Sequence, residues 1–236
     1  MVKNSSGSFE GVEASPKTDK YLGIKFANSR RFSEPEDVIT YGETVQAKSF
    51  GPQSPQVPGF MEEILNTKVL PTDENCQYLN IWTPKPSAQL KPVLFWIHGG
   101  AYTNGTGATS WYDGKNLSEI GDVVVVTINY RLGPFGFIGH ENYGTLDQIS
   151  ALRWVNRNIN SFGGDPSNVT IFGESAGGSS VVALTATSMT KGLITKAWAM
   201  SPSLRQLRSK TEADISTRQF LDTAKCSSIE DLKILP

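Results

Sequence analysis

Val169-Thr-Ile-Phe-Gly173-Glu174-Ser175-Ala176-Gly177-Gly178 starts as a β-branched, apolar run and ends in small residues. The run from Val169 to Gly173 reads as a buried strand, and the segment from Ser175 to about Thr187 as a helix. Between them lies G-x-S-x-G. A serine in that place sits on a tight, strained turn that lifts its hydroxyl to the end of a sheet. Gly173 and Gly177 remove the Cβ atoms that such a turn would clash. The helix that follows points its free N–H groups and the positive end of its dipole at the serine. A bare G-x-S-x-G is a weak signal, and a Gly-rich strand-to-helix turn without a nucleophile would carry the same letters. The strand before it and the small-residue helix after it make the signal specific.

Outward from this point the chain keeps alternating. Upstream strands are expected at Tyr78 to Thr83, Val93 to Ile97 and Val123 to Asn129. The last two are continuous apolar runs, as in strands covered on both faces. Leu146, Ile149, Leu152, Val155, Ile159 and Phe162 recur at helical spacing. Thr145 to Gln148 reads as the capping box of that helix, and Gly163-Gly164 with Pro166 as its stop. Downstream come a strand at Lys196 to Ser201 and a helix near Glu212 to Ala224. Short strand pieces such as Tyr21 to Phe26 precede a Pro-rich stretch from Gly51 to Gly59, which reads as a surface loop. The alternation predicts an α/β fold with a mainly parallel central sheet and flanking helices.

A second element follows strand Val93 to Ile97 directly: His98-Gly99-Gly100-Ala101-Tyr102. A Gly-rich loop at the carboxyl end of a buried strand can aim backbone N–H groups at a developing oxyanion. A phosphate-binding loop is the competing reading. Gly99 to Ser110 contains neither G-x-x-x-x-G-K-[ST] nor a full G-x-G-x-x-G, so nucleotide binding is set aside.

The 236 residues carry 22 Lys plus Arg against 23 Asp plus Glu, a formal net charge of −1. Nucleic-acid binders show a basic excess or stripe. Arg30-Arg31 and the stretch from Arg205 to Lys210 read instead as solvated surface, so no nucleic-acid partner is expected. No apolar run approaches the roughly 18 residues of a membrane span. The polar start, Met1 to Glu10, has no signal-peptide core. Cys76 and Cys226 cannot build a disulfide framework, and with two His no zinc pattern arises. The expected setting is cytoplasmic, where the sequons at Asn4, Asn104, Asn116 and Asn168 mean little. No metal or organic cofactor is implied.

Taken with Tyr21-Leu-Gly-Ile-Lys-Phe-Ala27, Arg31-Phe32, Glu74-Asn-Cys-Gln-Tyr-Leu-Asn80, Asn129-Tyr-Arg-Leu-Gly133, Phe135-Gly-Phe137, Leu146-Asp-Gln148 and Phe162-Gly-Gly-Asp-Pro166, the two motifs resemble the type B carboxylesterase and cholinesterase-like family of α/β-hydrolases. The resemblance runs through nearly all of residues 1–236, as the N-terminal part of one α/β-hydrolase domain. It implies a serine carboxylic ester hydrolase with a small-molecule ester as substrate. Ser175 is then the nucleophile, and the backbone N–H groups of Gly100, Ala101 and Ala176 form the oxyanion hole. Ala101 stands where the family often has a third Gly, and its amide serves equally. The resemblance also implies two structural ion pairs, Arg31 with Glu74 and Arg131 with Asp165.

One departure matters for chemistry. The triad order on this fold is Ser, then Asp or Glu, then His, and no His follows Ser175. His98 belongs to the oxyanion loop, where its ring is expected to brace the backbone. His140 reads as loop surface. Glu212, Asp214, Asp222, Glu230 and Asp231 read as the solvated face of a helix or its neighbourhood. Without a base the serine hydroxyl is a poor nucleophile, so the isolated chain is expected to have little turnover. Family members are longer, and the chain reads as an N-terminal portion with an exposed sheet edge prone to association. A catalytically inactive binding module and an idle truncated product remain as alternatives. Cys76 lacks the upstream cysteine with which secreted members pair it, and is expected as a small buried thiol. Trp111 and Tyr112 are candidate pocket residues, with core packing as the alternative.

Overall fold

The apolar runs lie side by side in one sheet. The computed structural model describes residues 1–59, 64, 70–203, 205 and 207–235. Seven short strands come first: β1 (Val2–Asn4), β2 (Gly7–Glu10), β3 (Val12–Ser15), β4 (Thr18–Lys25), β5 (Ala27–Asn28), β6 (Glu36–Asp37) and β7 (Val45–Gln46). Then come β8 (Tyr78–Pro84), β9 (Lys91–Ile97), α1 (Lys115–Gly121), β10 (Val124–Ile128), α2 (Gly133–Phe137) and α3 (Tyr143–Asn158). They are followed by β11 (Gly164–Glu174), α4 (Ala176–Ala186), β12 (Lys196–Met200), α5 (Lys210–Ala224) and α6 (Ile229–Lys233).

The central sheet has seven strands in the order β12-β11-β9-β10-β8-β4-β3. Its first four strands are mutually parallel. β10, β8, β4 and β3 are joined antiparallel. The sheet is therefore mixed, with its parallel part where the uninterrupted apolar runs predicted it. β8 is buried through its middle although Asn80 and Thr83 interrupt its apolar residues, and nothing in those letters sets its direction.

Val126, Phe95 and Ile171 are register partners across β10, β9 and β11, and all three are fully buried. On that face α3 packs Ile149, Leu152 and Val155, and α4 packs Val181 and Leu184. α1 covers the opposite face, against β8 and β10, where Trp82 and Val125 are buried. The helix expected over 146–162 begins at Tyr143 and tightens into a 3-10 turn over Ile159–Phe162. Its N-cap is Asn142, which makes no side-chain cap bond, so the capping box read at Thr145 to Gln148 is not formed. Those residues already lie inside the helix, and Gln148 points into the core. The Pro-rich stretch 51–59 is irregular, as expected, but Gln53 and Ser54 are buried. The loop is wedged under the site and does not merely cover the surface. Among the described residues, no helix is long and apolar enough to cross a membrane.

Candidate active site

β11 ends at Glu174 and α4 begins at Ala176, leaving Ser175 alone to turn the chain. Its backbone sits at φ 56° and ψ −119°. A residue with a Cβ in that region costs about 1–3 kcal/mol, which surrounding structure must hold in place. Two backbone contacts hold it: the Ser175 N–H donates to the Met200 carbonyl at 3.0 Å, and the Ser179 N–H donates to the Ser175 carbonyl at 2.9 Å. The glycine requirement is steric. A Cβ at Gly177 would stand 2.0 Å from the Ile97 carbonyl oxygen. The first turn of α4 thus lies on the end of β9, where the second loop starts.

That loop is strained in its own way. Gly100, Ala101 and Tyr102 all have positive φ, at 105°, 54° and 61°. The N–H groups of Thr103 and Asn104 close the turn on the Gly100 carbonyl at 2.9 and 3.0 Å. The loop abuts the elbow, since a Cβ at Gly99 would lie 3.2 Å from the Ser175 Cβ. Among the described residues, no acceptor takes the N–H of Gly100, Ala101 or Ala176. The first is on a left-handed loop and the last on the first turn of a helix, where amides have no helical partner.

Side chains that the sequence did not single out brace the far half of the loop. Gln56 accepts from the Gly105 N–H at 2.6 Å and donates to the Gly105 carbonyl at 3.0 Å. The Asn129 carbonyl oxygen accepts from the Thr106 hydroxyl at 2.9 Å and the Gly107 N–H at 2.8 Å, and its NH2 donates to Pro52 at 2.9 Å. The Pro-rich stretch therefore serves the site. A polar residue on an irregular loop leaves no periodic signal, so Gln56 could not be found from the letters; Asn129 at the end of an apolar strand was a visible hint.

Neither histidine bonds to Ser175. His98 is buried, with Nδ1 at 2.7 Å from the Gly99 carbonyl and its ring stacked on Tyr130 at 4.5 Å between centroids. A carbonyl only accepts, so Nδ1 carries the proton. Burial pushes the ring's pKa down to about 4, against a smaller upward pull from that hydrogen bond. His98 is a neutral brace of the loop. His140 is half-exposed and its Nε2 lies 3.0 Å from Asp214 Oδ1.

Arg31 grips Glu74 through Nε and Nη2, with Nε 2.8 Å from Oε2, and its Nη1 reaches the carbonyls of Leu232 and Leu235. The pairing of Arg131 with Asp165 is corrected. Arg131 binds Asp147, at 2.9 Å from Nε and 2.8 Å from Nη2, and both side chains are buried. Arg131 lies just past the carboxyl end of β10, beside the first turns of α3. Asp165 lies at the opposite end of the parallel strands, where its carboxylate accepts from the Ser167 N–H and hydroxyl and is thereby held below the usual carboxylate range. Cys76 is a buried free thiol, pushed up in pKa by burial.

A cavity of about 960 Å³ opens beside Ala101 and Tyr102 and between α3, α4 and α5; Phe137, Leu146, Ile149 and Met189 line it. Tyr112 packs on Trp96 at 4.9 Å and Trp111 on Tyr112 at 5.9 Å, on the other side of the sheet from α3. Among the described residues, no group of three His, Cys, Asp or Glu side chains is placed to hold a metal ion.

The family model of the carboxylesterase family matches residues 1–235. The chain belongs to the carboxylesterase family. The para-nitrobenzyl esterase of Bacillus subtilis (strain 168) is 41% identical over 214 residues, covering 86% of this chain and 43% of that protein. Among solved structures, a thermophilic para-nitrobenzyl esterase superposes with a TM-score of 0.89 at 37% identity, over 100% of this chain and 51% of that one. A carboxylesterase of Geobacillus stearothermophilus does so with a TM-score of 0.88 at 40% identity, over 100% and 50%. This carboxylesterase-family chain has the α/β-hydrolase fold and spans about half the length of the relatives it matches.

Proposed function

We propose that residues 1–236 are the nucleophile-bearing part of a single α/β-hydrolase domain that hydrolyses small-molecule carboxylic esters through an acyl-enzyme on Ser175. The observation that carries this reading is the strained backbone of Ser175, set against Gly99 with unpaired amides on both sides. A strain of that kind persists where the surroundings over-determine it, as at catalytic turns. In the proposed reaction the Ser175 hydroxyl oxygen attacks the ester carbonyl carbon and its proton passes to a base. The carbonyl oxygen becomes an oxyanion, which the N–H groups of Gly100, Ala101 and Ala176 would receive in this reading. Collapse expels the alcohol with a proton, and water then cleaves the acyl-serine by the same steps in reverse roles.

Among the described residues, none that bonds to Ser175 can serve as a base. Oxyanion donors alone leave a residual acceleration of about 10³–10⁴ over water in other serine hydrolases. Incubation of this chain with an activated ester, such as p-nitrophenyl acetate, should give little turnover. A fluorophosphonate probe should still label Ser175 slowly, and the label should disappear in Ser175→Ala. Brisk turnover lost in Ser175→Ala would mean that a base has been overlooked. Absence of any label would favour the second reading, a catalytically inactive member that acts by binding, which the lack of a base beside Ser175 supports.

A further inference from the structure

Tyr102 is the third consecutive residue with positive φ in the loop, and the least suited to it, because its large side chain must be placed as well. Its carbonyl accepts from the Gly133 N–H at 2.7 Å, and its ring packs edge-on against Phe137 at 4.9 Å. The phenol reaches across to α4. The Ser180 hydroxyl donates to the Tyr102 oxygen at 3.1 Å, and the Gln148 NH2 on α3 donates to the Ser180 oxygen at 3.1 Å. Both Gln148 and Ser180 are buried. The neighbouring Ser179 hydroxyl lies 3.2 Å from the Ser175 carbonyl oxygen and accepts from the Ser203 N–H.

The connectivity is economical. Tyr102 is one residue beyond Ala101, and Ser180 is one helical turn beyond Ala176. The N–H donors assigned to the oxyanion lie on two separate limbs, the loop and the helix. Gln56 and Asn129 fix the outer half of the loop, at Gly105 to Gly107, but not Gly100 or Ala101. The Ser180 to Tyr102 bond joins the two limbs at the level of the donors. We propose that Tyr102, Ser180 and Gln148 are positioning residues that set the spacing of the Gly100 and Ala101 amides from Ser175 and Ala176. This inference rests on the reading of Ser175 as nucleophile, and it predicts an effect on the reacting state in preference to ligand capture.

Tyr102→Phe keeps the ring and its contact with Phe137 and deletes only the hydroxyl. Labelling of Ser175 by a fluorophosphonate should show a maximal rate lowered about fivefold, with the half-saturating probe concentration unchanged. Ser180→Ala should do the same, the pair together should do no worse than either alone, and Ser180→Thr should restore the rate. Hydrogen exchange supplies a readout that needs no reaction. The amides of Thr103 and Asn104, which close the loop on the Gly100 carbonyl, should exchange about fivefold faster in Tyr102→Phe, while those of β9 keep their protection. An unlabelled wild-type chain would overturn the nucleophile reading and leave exchange to decide the strap. Equal exchange of the Thr103 and Asn104 amides in wild type and Tyr102→Phe would overturn the strap itself, as would a rate drop in Ser180→Thr as deep as in Ser180→Ala.

Discussion

β10 and β12 belong to the same run of parallel strands, yet their surroundings are opposite. Every residue of β10, Val124 to Ile128, is buried. In β12, Lys196, Ala197 and Trp198 are exposed, with Trp198 61% accessible. Both strands bear on the site. β10 leads into Asn129 and Arg131, which anchor the loop and α3; β12 offers the Met200 carbonyl to the Ser175 N–H. The elbow at the end of β11 lies between β9, buried from Phe95 to Ile97 and itself paired with β10, and β12, the last strand of the described sheet. Of the two backbone bonds that hold Ser175, one comes from its own helix and the other from β12, a less protected partner.

The sharpest way to break this comparison is to damage the interior. Asp147 is fully buried against Arg131, whose side chain is 1% exposed. Asp147→Ala leaves a buried guanidinium unpaired and should cost about 3–5 kcal/mol in chemical denaturation. Glu74→Ala removes the partner of Arg31 in a pair that is 20% and 29% exposed, and should cost about 1 kcal/mol or less. Equal losses in the two variants would show that burial does not separate them.

A smaller effect comes from pH. His98 is held neutral by burial, with its pKa lowered from 6.5 to about 4. Below pH 6.5 the unfolded chain takes up a proton that the folded chain refuses until about pH 4. Stability is therefore whole above pH 6.5 and drains away as pH falls through that window, by about 3 kcal/mol in all. His98→Asn, which can keep a donor toward Gly99, should flatten the slope of denaturation midpoint against pH between 6.5 and 4. An unaltered slope would assign the acid sensitivity to other groups.

The contrast between interior and edge also marks what the letters could convey. Apolar runs report burial on both faces, so β9, β10 and β11 were legible, and Ser175 with them, because a G-x-S-x-G between strand and helix is local. Direction was not, since β8, buried like the parallel strands, pairs antiparallel with β10. Partners distant in sequence were not legible either. Arg131 has an aspartate at 147 and another at 165, and only the end of the sheet at which each lies decides between them. Gln56 and Tyr102 make their contacts through side-chain hydrogen bonds from irregular backbone, a placement that no spacing encodes.

The smallest effect tests the edge. Trp198 pairs in register with Phe172 on β11, but most of its surface is open to solvent. Trp198→Ala in a dilute monomer should change stability by less than about 1 kcal/mol, against about 3–5 kcal/mol for the fully buried Trp154→Ala. An edge strand with an exposed aromatic also offers unpaired backbone groups to another chain. If the Trp198→Ala cost grows with protein concentration, a second copy is covering β12, and the open edge belongs only to the dilute chain. If it stays small at every concentration, β12 is uncovered in solution, and the bond from Ser175 to Met200 should be among the first around the elbow to exchange.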